Sequence, residues 1–432
     1  MKRFDVVVVG ARCAGSPLAT MLAQRGLRVC LLDRARFPSE TPSTHIIQSC
    51  GVQVLDRLGV LEATLAAGAV PLDHLTMVVD DVVRIESTPD RAVFPHPALC
   101  IRRVTLDALL VDAAAHAGAD VHTGVRVTGL TTEGGRVTGV ETAAGEAVQA
   151  QLVVGADGRH STIASLVGAS EYHVASPGRM FAWAYFEGAD REGHVRIGRQ
   201  GQLGYLAAPT DGGLYMAAIG VNMADQAEFH ADREANFAAG IRAWPELADL
   251  LAGGRRVGPI RVFTNWHGYF RQSAGPGWVL VGDAGHFKDP SPGQGIGDAF
   301  RQVEQLALAI EDGLGNTDPD AATHRWWRWR DDDAYEMHWF ARDMGAPGVS
   351  SPFNTQFMRE VARDPEGAQL LLRVFNHEVR PSQVITPSRV ARAAARALLD
   401  KPSHIGATLR EIVTAAREDR RRHQQRRACR PA

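Results

Sequence analysis

Most of the chemistry that residue type and spacing can announce in this chain lies in Gly282-Asp283-Ala284-Gly285-His286-Phe287-Lys288-Asp289-Pro290-Ser291-Pro292-Gly293-Gln294-Gly295. It is a polar, glycine-rich loop between an apolar strand, Trp278 to Val281, and a helical pattern that starts near Gly297. Two partners stand far upstream. Gly10-Ala11-Arg12-Cys13-Ala14-Gly15 follows one apolar run, and Gly155-Ala156-Asp157-Gly158-Arg159-His160-Ser161 follows another. A strand–turn–helix junction of this kind suits an anion, because unsatisfied N–H groups and the helix dipole converge there. Arg12 replaces the second glycine of a G-x-G-x-x-G fingerprint, so it must either turn away or add its own charge. Asp33, followed by Arg34, stands 23 residues after Gly10, close to the ~20 expected of an acid that holds a ribose hydroxyl.

The elements that must carry these turns can be read from periodicity. Phe4 to Val9 is a buried strand, Ala14 to Arg25 a helix and Leu27 to Leu32 a second β-rich run, which together make a βαβ unit. Helical stretches follow around Val52 to Leu65 and Val104 to Ala117, with short strands at 74–94 and three or four more from Val121 to Val154. From about 175 to 265 short alternating strands dominate, then a helical stretch from Ala224 to Ala239, and after 278–312 the chain reads as largely helical.

At 432 residues the chain can hold two to three domains and a large core. A net charge of −2 argues against a general nucleic-acid binder. The basic surplus is local: eight arginines face three acids between Arg410 and Arg430, which reads as a solvated C-terminal helix and tail. Five cysteines without a C-x-x-C pair fit a reducing cytoplasm, not a disulfide framework or zinc site, and the histidines show no metal spacing. No apolar run approaches the ~18 residues of a membrane span. The short valine run after Asp5 reads as a strand, not a signal peptide.

The three turns, in this order, resemble the FAD-binding signature of the para-hydroxybenzoate hydroxylase-like flavoproteins, a grouping of aromatic monooxygenases, geranylgeranyl reductases and flavin-dependent halogenases. The resemblance covers roughly residues 4–310 and departs from the family's G-D-A-A-H-x-x-x-P-x-x-G-Q-G at Gly285. It implies an α/β fold: a Rossmann-like FAD-binding domain (GR2-type) from 1–75, 96–172 and 266–315, an inserted antiparallel-sheet substrate domain from 76–95 and 173–265, and a helical C-terminal region from 316–432. It also implies non-covalent FAD held by Gly10, Ala11, Gly15, Asp33, Arg34, Arg103, Val127, Asp157, Gly158, Gly282, Asp283 and Pro290. Gly293, Gln294, Gly295 and Ile296 are expected to aim backbone N–H groups at the flavin edge that gathers charge on reduction.

No second Rossmann unit is visible for a nicotinamide cofactor, so NADPH or NADH is expected as a transient reductant. The implied reaction is hydroxylation of a small organic substrate, aromatic or polycyclic, with O2. Trp183, Tyr185, Tyr205 and Trp266 are substrate-wall candidates in the inserted sheet, and His45 and His286 are acid–base candidates. A double-bond reductase of the geranylgeranyl-reductase kind is the alternative, although Phe37 to His45 lacks that branch's cysteine-containing loop. The tryptophan-halogenase branch needs a lysine between the first two motifs and a W-x-W-x-I-P run; neither exists here, which leaves phenolic halogenases. A flavin-binding protein without turnover is the reading from a different class.

Overall fold

The computed structural model describes residues 3–189, 191–364, 366–400 and 405–428. Arg3–Val9, Val29–Asp33 and Ala147–Gly155 are nearly continuous apolar strands, as parallel strands covered on both faces must be. They form the centre of an eight-stranded sheet in which Trp278–Leu280, Ala147–Gly155, Arg3–Val9, Val29–Asp33 and Asp120–Thr123 run parallel in that spatial order. The segment read as three or four strands is four: Asp120–Thr123, Val127–Glu133, Arg136–Thr142 and Ala147–Gly155. One face of the sheet is packed by the helices Gly15–Gln24, Arg103–His116 and Gly295–Gly315, whose Leu18, Leu22, Leu106, Phe300 and Leu306 are buried with Val6, Val8 and Leu31.

A second, seven-stranded sheet is built from Arg255–Phe263, Arg179–Glu187, Leu214–Asn222, Leu203–Pro209, His194–Gln200, His74–Val79 and Val83–Ser87, in that order. All but one of its pairings are antiparallel; His194–Gln200 runs parallel to His74–Val79 because the latter arrives from the first half of the chain. The helical stretch expected over 224–239 is broken at Asp232 into Gln226–Ala231 and Arg233–Arg242, and is followed by a further helix, Pro245–Leu251, and the edge strand Arg255–Phe263.

Helices dominate the described residues that follow, led by Gly295–Gly315 and Pro319–Met344. Trp326, Trp327 and Met337 of the second lie in the core. The C-terminal helix Ile405–Ala428 is not wholly solvated, which corrects the sequence reading. Arg422 donates to Asp343 and packs on Trp339, while Arg426 pairs with Asp332 over Tyr335, so one side of this helix is docked. Among the described residues, no helix is long and apolar enough to cross a membrane.

Candidate active site

Register explains why turns far apart in sequence share one place. Val9 lies opposite both Leu32 and Gly155, and Gly155 lies opposite Leu280, so the carboxyl ends of four strands reach one edge together. Ligands of open parallel sheets bind at that edge. The loops that leave it enclose a cavity of about 1780 Å³ running on to the face of the second sheet.

The first turn is built by close approach. Gly10 has φ 104°, and a Cβ there would stand 2.4 Å from the Ala156 carbonyl oxygen; a Cβ on Gly15 would stand 1.7 Å from the Gly10 oxygen. Ala11 and Ala35 donate their backbone N–H groups to the two Asp33 carboxylate oxygens at 2.6 and 2.7 Å, which aims Asp33 along the cavity wall beside Arg34. Ala11 and Gly15 shape the turn without lining the cavity, whereas Gly10 and Val127 line it.

Arg12 both turns away and contributes charge. It donates to Asp107 at 2.6 Å and to the Ser39 hydroxyl at 2.8 Å while remaining in the cavity wall. Arg103 grips the same buried Asp107 with two bonds, at 2.8 and 3.0 Å. One carboxylate thus fixes two guanidinium groups at the cavity edge. Sequence reasoning missed Asp107; its place four residues after Arg103 on a helix was the available signal.

Asp157 is consumed locally, accepting from Thr162 N–H at 2.6 Å and so holding the start of the short helix Thr162–Leu166. Gly158, at φ 79°, passes the cavity beside it. Gly282 and Asp283 follow from the fourth strand. Asp283 sits deep in the protein but opens onto the cavity, and burial pushes its carboxyl up to about 6 while Arg103 pulls the other way. Pro290, Gly295 and Ile296 line the next part, at the N-terminus of Gly295–Gly315. Gly293 supplies a left-handed turn at φ 65°, and the Gln294 side chain points away from the cavity to the Phe375 carbonyl at 2.8 Å. Sequence reasoning missed a buried ionic triad behind this loop. Lys288 Nζ and His377 Nε2 each approach Asp298 within 2.7 Å. Burial works to raise the Asp298 pKa, but Lys288 and His377 hold it well below the usual carboxylate range.

The substrate-wall candidates divide. Trp183 lines the large cavity and also a second one of about 580 Å³, which Tyr185 and His45 line too. Tyr185 Oη lies 2.6 Å from His45 Nε2, and burial, with help from Arg103, pushes that imidazole down to about 3. His45 is therefore neutral at pH 7. Tyr205 contributes to the wall, but its hydroxyl is spent on the Gly240 carbonyl at 2.8 Å. Trp266 stacks on Phe181 and Phe263 instead of lining either cavity. His286 lines the large cavity against Phe270, its ring centroid 4.4 Å away, and burial pushes it well below the usual imidazole range. Charged acid–base exchange at neutral pH is thus open to neither histidine as it stands.

Residues 3–321 match the FAD binding domain family. The chain belongs to that family. This flavoprotein is an FAD-dependent oxidoreductase of the para-hydroxybenzoate hydroxylase-like group. It is 31% identical over 332 residues to 6-methylpretetramide 4-monooxygenase of Streptomyces rimosus, covering 73% of this chain and 77% of the relative. Menaquinone reductase of Mycolicibacterium smegmatis is 28% identical over 345 residues, with 74% and 79% covered. In fold it resembles a flavin-dependent brominase at TM-score 0.76 and 18% identity, with 93% of this chain and all of that one covered.

The residues fit FAD. A glycine-tight turn and a helix N-terminus suit a pyrophosphate, Arg103 stands beside them, and Asp33 and Asp283 offer carboxylates to hydroxyl groups of an extended ligand. Small-molecule sites are typically about 300–1,000 Å³, so a cavity of about 1780 Å³ has room for a second ligand.

Proposed function

We propose that this flavoprotein is a monooxygenase that uses NADPH or NADH and dioxygen to place one oxygen atom on a small organic substrate, aromatic or polycyclic in character. The observation that carries the reading is the continuity of the cavity from the FAD cradle to an apolar wall on the second sheet and the C-terminal helices, where Phe181, Trp183, Met216 and Phe357 stand. The relative named as a 4-monooxygenase supports the same choice. FAD, when bound, supplies the chemistry: it takes electrons from the nicotinamide and passes them to oxygen.

The protein's own residues bind, orient and exclude. The N–H groups at Gly295 and Ile296, at the start of a long helix, favour negative charge in the adjoining part of the cavity. The Asp107 clamp keeps the Arg12 and Arg103 charges fixed, so no reorganisation is needed when an anionic cofactor arrives. Phe181 and Trp183 exclude water from the far wall and offer flat faces to rings. The four described cysteines form no disulfide, which supports a cytoplasmic setting.

The protein is expected to purify yellow, with about one FAD per chain released by acid precipitation. The reaction is tested by anaerobic reduction with NADPH or NADH, followed by a pulse of labelled dioxygen in the presence of candidate substrates. One labelled atom in the product is the expected result. A product with two extra hydrogens and no label would instead make it a reductase, the second reading that the 28% identity to menaquinone reductase supports. A halogenated product formed only with halide present would also overturn the proposal, and a flavoprotein that never consumes NADPH or NADH would be a binding protein.

A further inference from the structure

The C-terminal helix Ile405–Ala428 sorts its arginines by face. Those turned to the body are paired: Arg422 with Asp343 and Glu418, and Arg426 with Asp332. Arg417, Arg420, Arg421 and Arg427 are exposed, and none of them has an ion-pair partner among the described residues. The same outer face carries aliphatic residues one turn apart in its first half: Ile405 is 41% exposed, Leu409 47% and Val413 47%. At 100° per residue these three, Arg420 and Arg427 fall within an arc of about 80°, with Arg417 about 40° beyond its edge. The buried Thr408 lies at the same angle as Arg426, about five turns away, and marks the docked side.

We infer that this face is a docking surface for an anionic lipid bilayer. Unpaired arginines on a helix that also exposes a row of aliphatic side chains are what a helix lying in a membrane interface needs, charge for the headgroups and apolar surface for the acyl boundary. A polyanion such as RNA would satisfy the arginines and leave Leu409 and Val413 in water. A second copy packed symmetrically on this face would set arginines against arginines, which costs energy. The chain as a whole carries −2, so the attraction is confined to this helix rather than spread over the surface. Ile412 and Ala415 of the same helix line the large cavity, so docking places the cavity wall against the bilayer. A lipophilic substrate then reaches the site from the membrane, a corollary that rests on the monooxygenase reading while the surface itself does not.

The test uses the FAD-loaded full chain sedimented with vesicles of phosphatidylcholine alone or of phosphatidylglycerol. Binding to phosphatidylglycerol and not to phosphatidylcholine, weakened by salt, is the expected result. Arg417→Gln/Arg420→Gln/Arg427→Gln should lower partitioning about a hundredfold, at roughly fivefold per charge. Leu409→Ser/Val413→Ser should weaken it by removing apolar insertion, and both variants should keep their FAD, which shows that they fold. No binding to phosphatidylglycerol, or binding by either variant equal to that of the wild type, overturns the proposal. So does a wild-type dimer that the same variants dissociate, or RNA binding that ignores Leu409→Ser/Val413→Ser. The labelled-oxygen experiment is unaffected by any of these results, so the two readings fail separately.

Discussion

Removing the Asp283 carboxylate should weaken cofactor binding and, at the same time, stabilise the cofactor-free protein. The carboxyl titrates at about 6 in the fold, raised from 3.8 chiefly by burial. A raised pKa means that the folded state disfavours the ionised form. The cost is therefore absent below about pH 4, grows as pH rises through 6, and is constant above that. Two pH units at about 1.36 kcal/mol each set a ceiling near 3 kcal/mol. Because the carboxylate opens onto the cavity, water screens it and about 1 kcal/mol is the realistic figure. Asp283→Ala, stripped of FAD, should thus melt about 2 °C above the stripped wild type at pH 8, with the gap closing by pH 4. Loss of one charge-assisted hydrogen bond, about 1.5–3 kcal/mol, should weaken FAD binding roughly tenfold to hundredfold. Thermal unfolding across pH and fluorescence titration with FAD read the two effects. Unchanged FAD affinity would remove Asp283 from the site, and a stripped variant less stable than wild type at pH 8 would refute the account of its carboxyl.

Gly10→Ala places a Cβ 2.4 Å from the Ala156 oxygen at a left-handed φ, so it should purify without flavin colour and lose at least about 1–3 kcal/mol by thermal unfolding. Lys288→Met strips Asp298 of its cation and should cost about 3–5 kcal/mol; adding Asp298→Asn should recover most of the loss, and a single variant as stable as wild type would contradict the buried triad. Tyr185→Phe leaves His45 Nε2 without its partner and should cost about 1–3 kcal/mol with FAD content unchanged; a fall in kcat larger than the change in KM would move this pair from the wall into the chemistry.

What the sequence disclosed and what it hid follow from the range of the interactions. Strand–turn–helix junctions are local, so Gly10, Asp33, Gly158 and Gly282 could be found by pattern, and parallel register then brings their turns to one edge without further instruction. The FAD family was legible through the resemblance those three turns carry, and the match over residues 3–321 bears it out. Side-chain fates were illegible wherever a partner comes from elsewhere in the chain. Gln294 lies in the most informative motif, yet its amide holds the Phe375 carbonyl; Asp157 spends its carboxylate on a helix start; Trp266 is drawn into a stack of phenylalanines. Lys288, Asp298 and His377 meet only because the chain returns after Pro319–Met344, and no spacing rule joins a loop to a residue so far downstream. The C-terminal helix shows the same limit from the other side. Its arginine count was plain in the sequence, but which arginines are neutralised depends on Asp332 and Asp343 of a different helix, and only that pairing leaves the others with a face of their own.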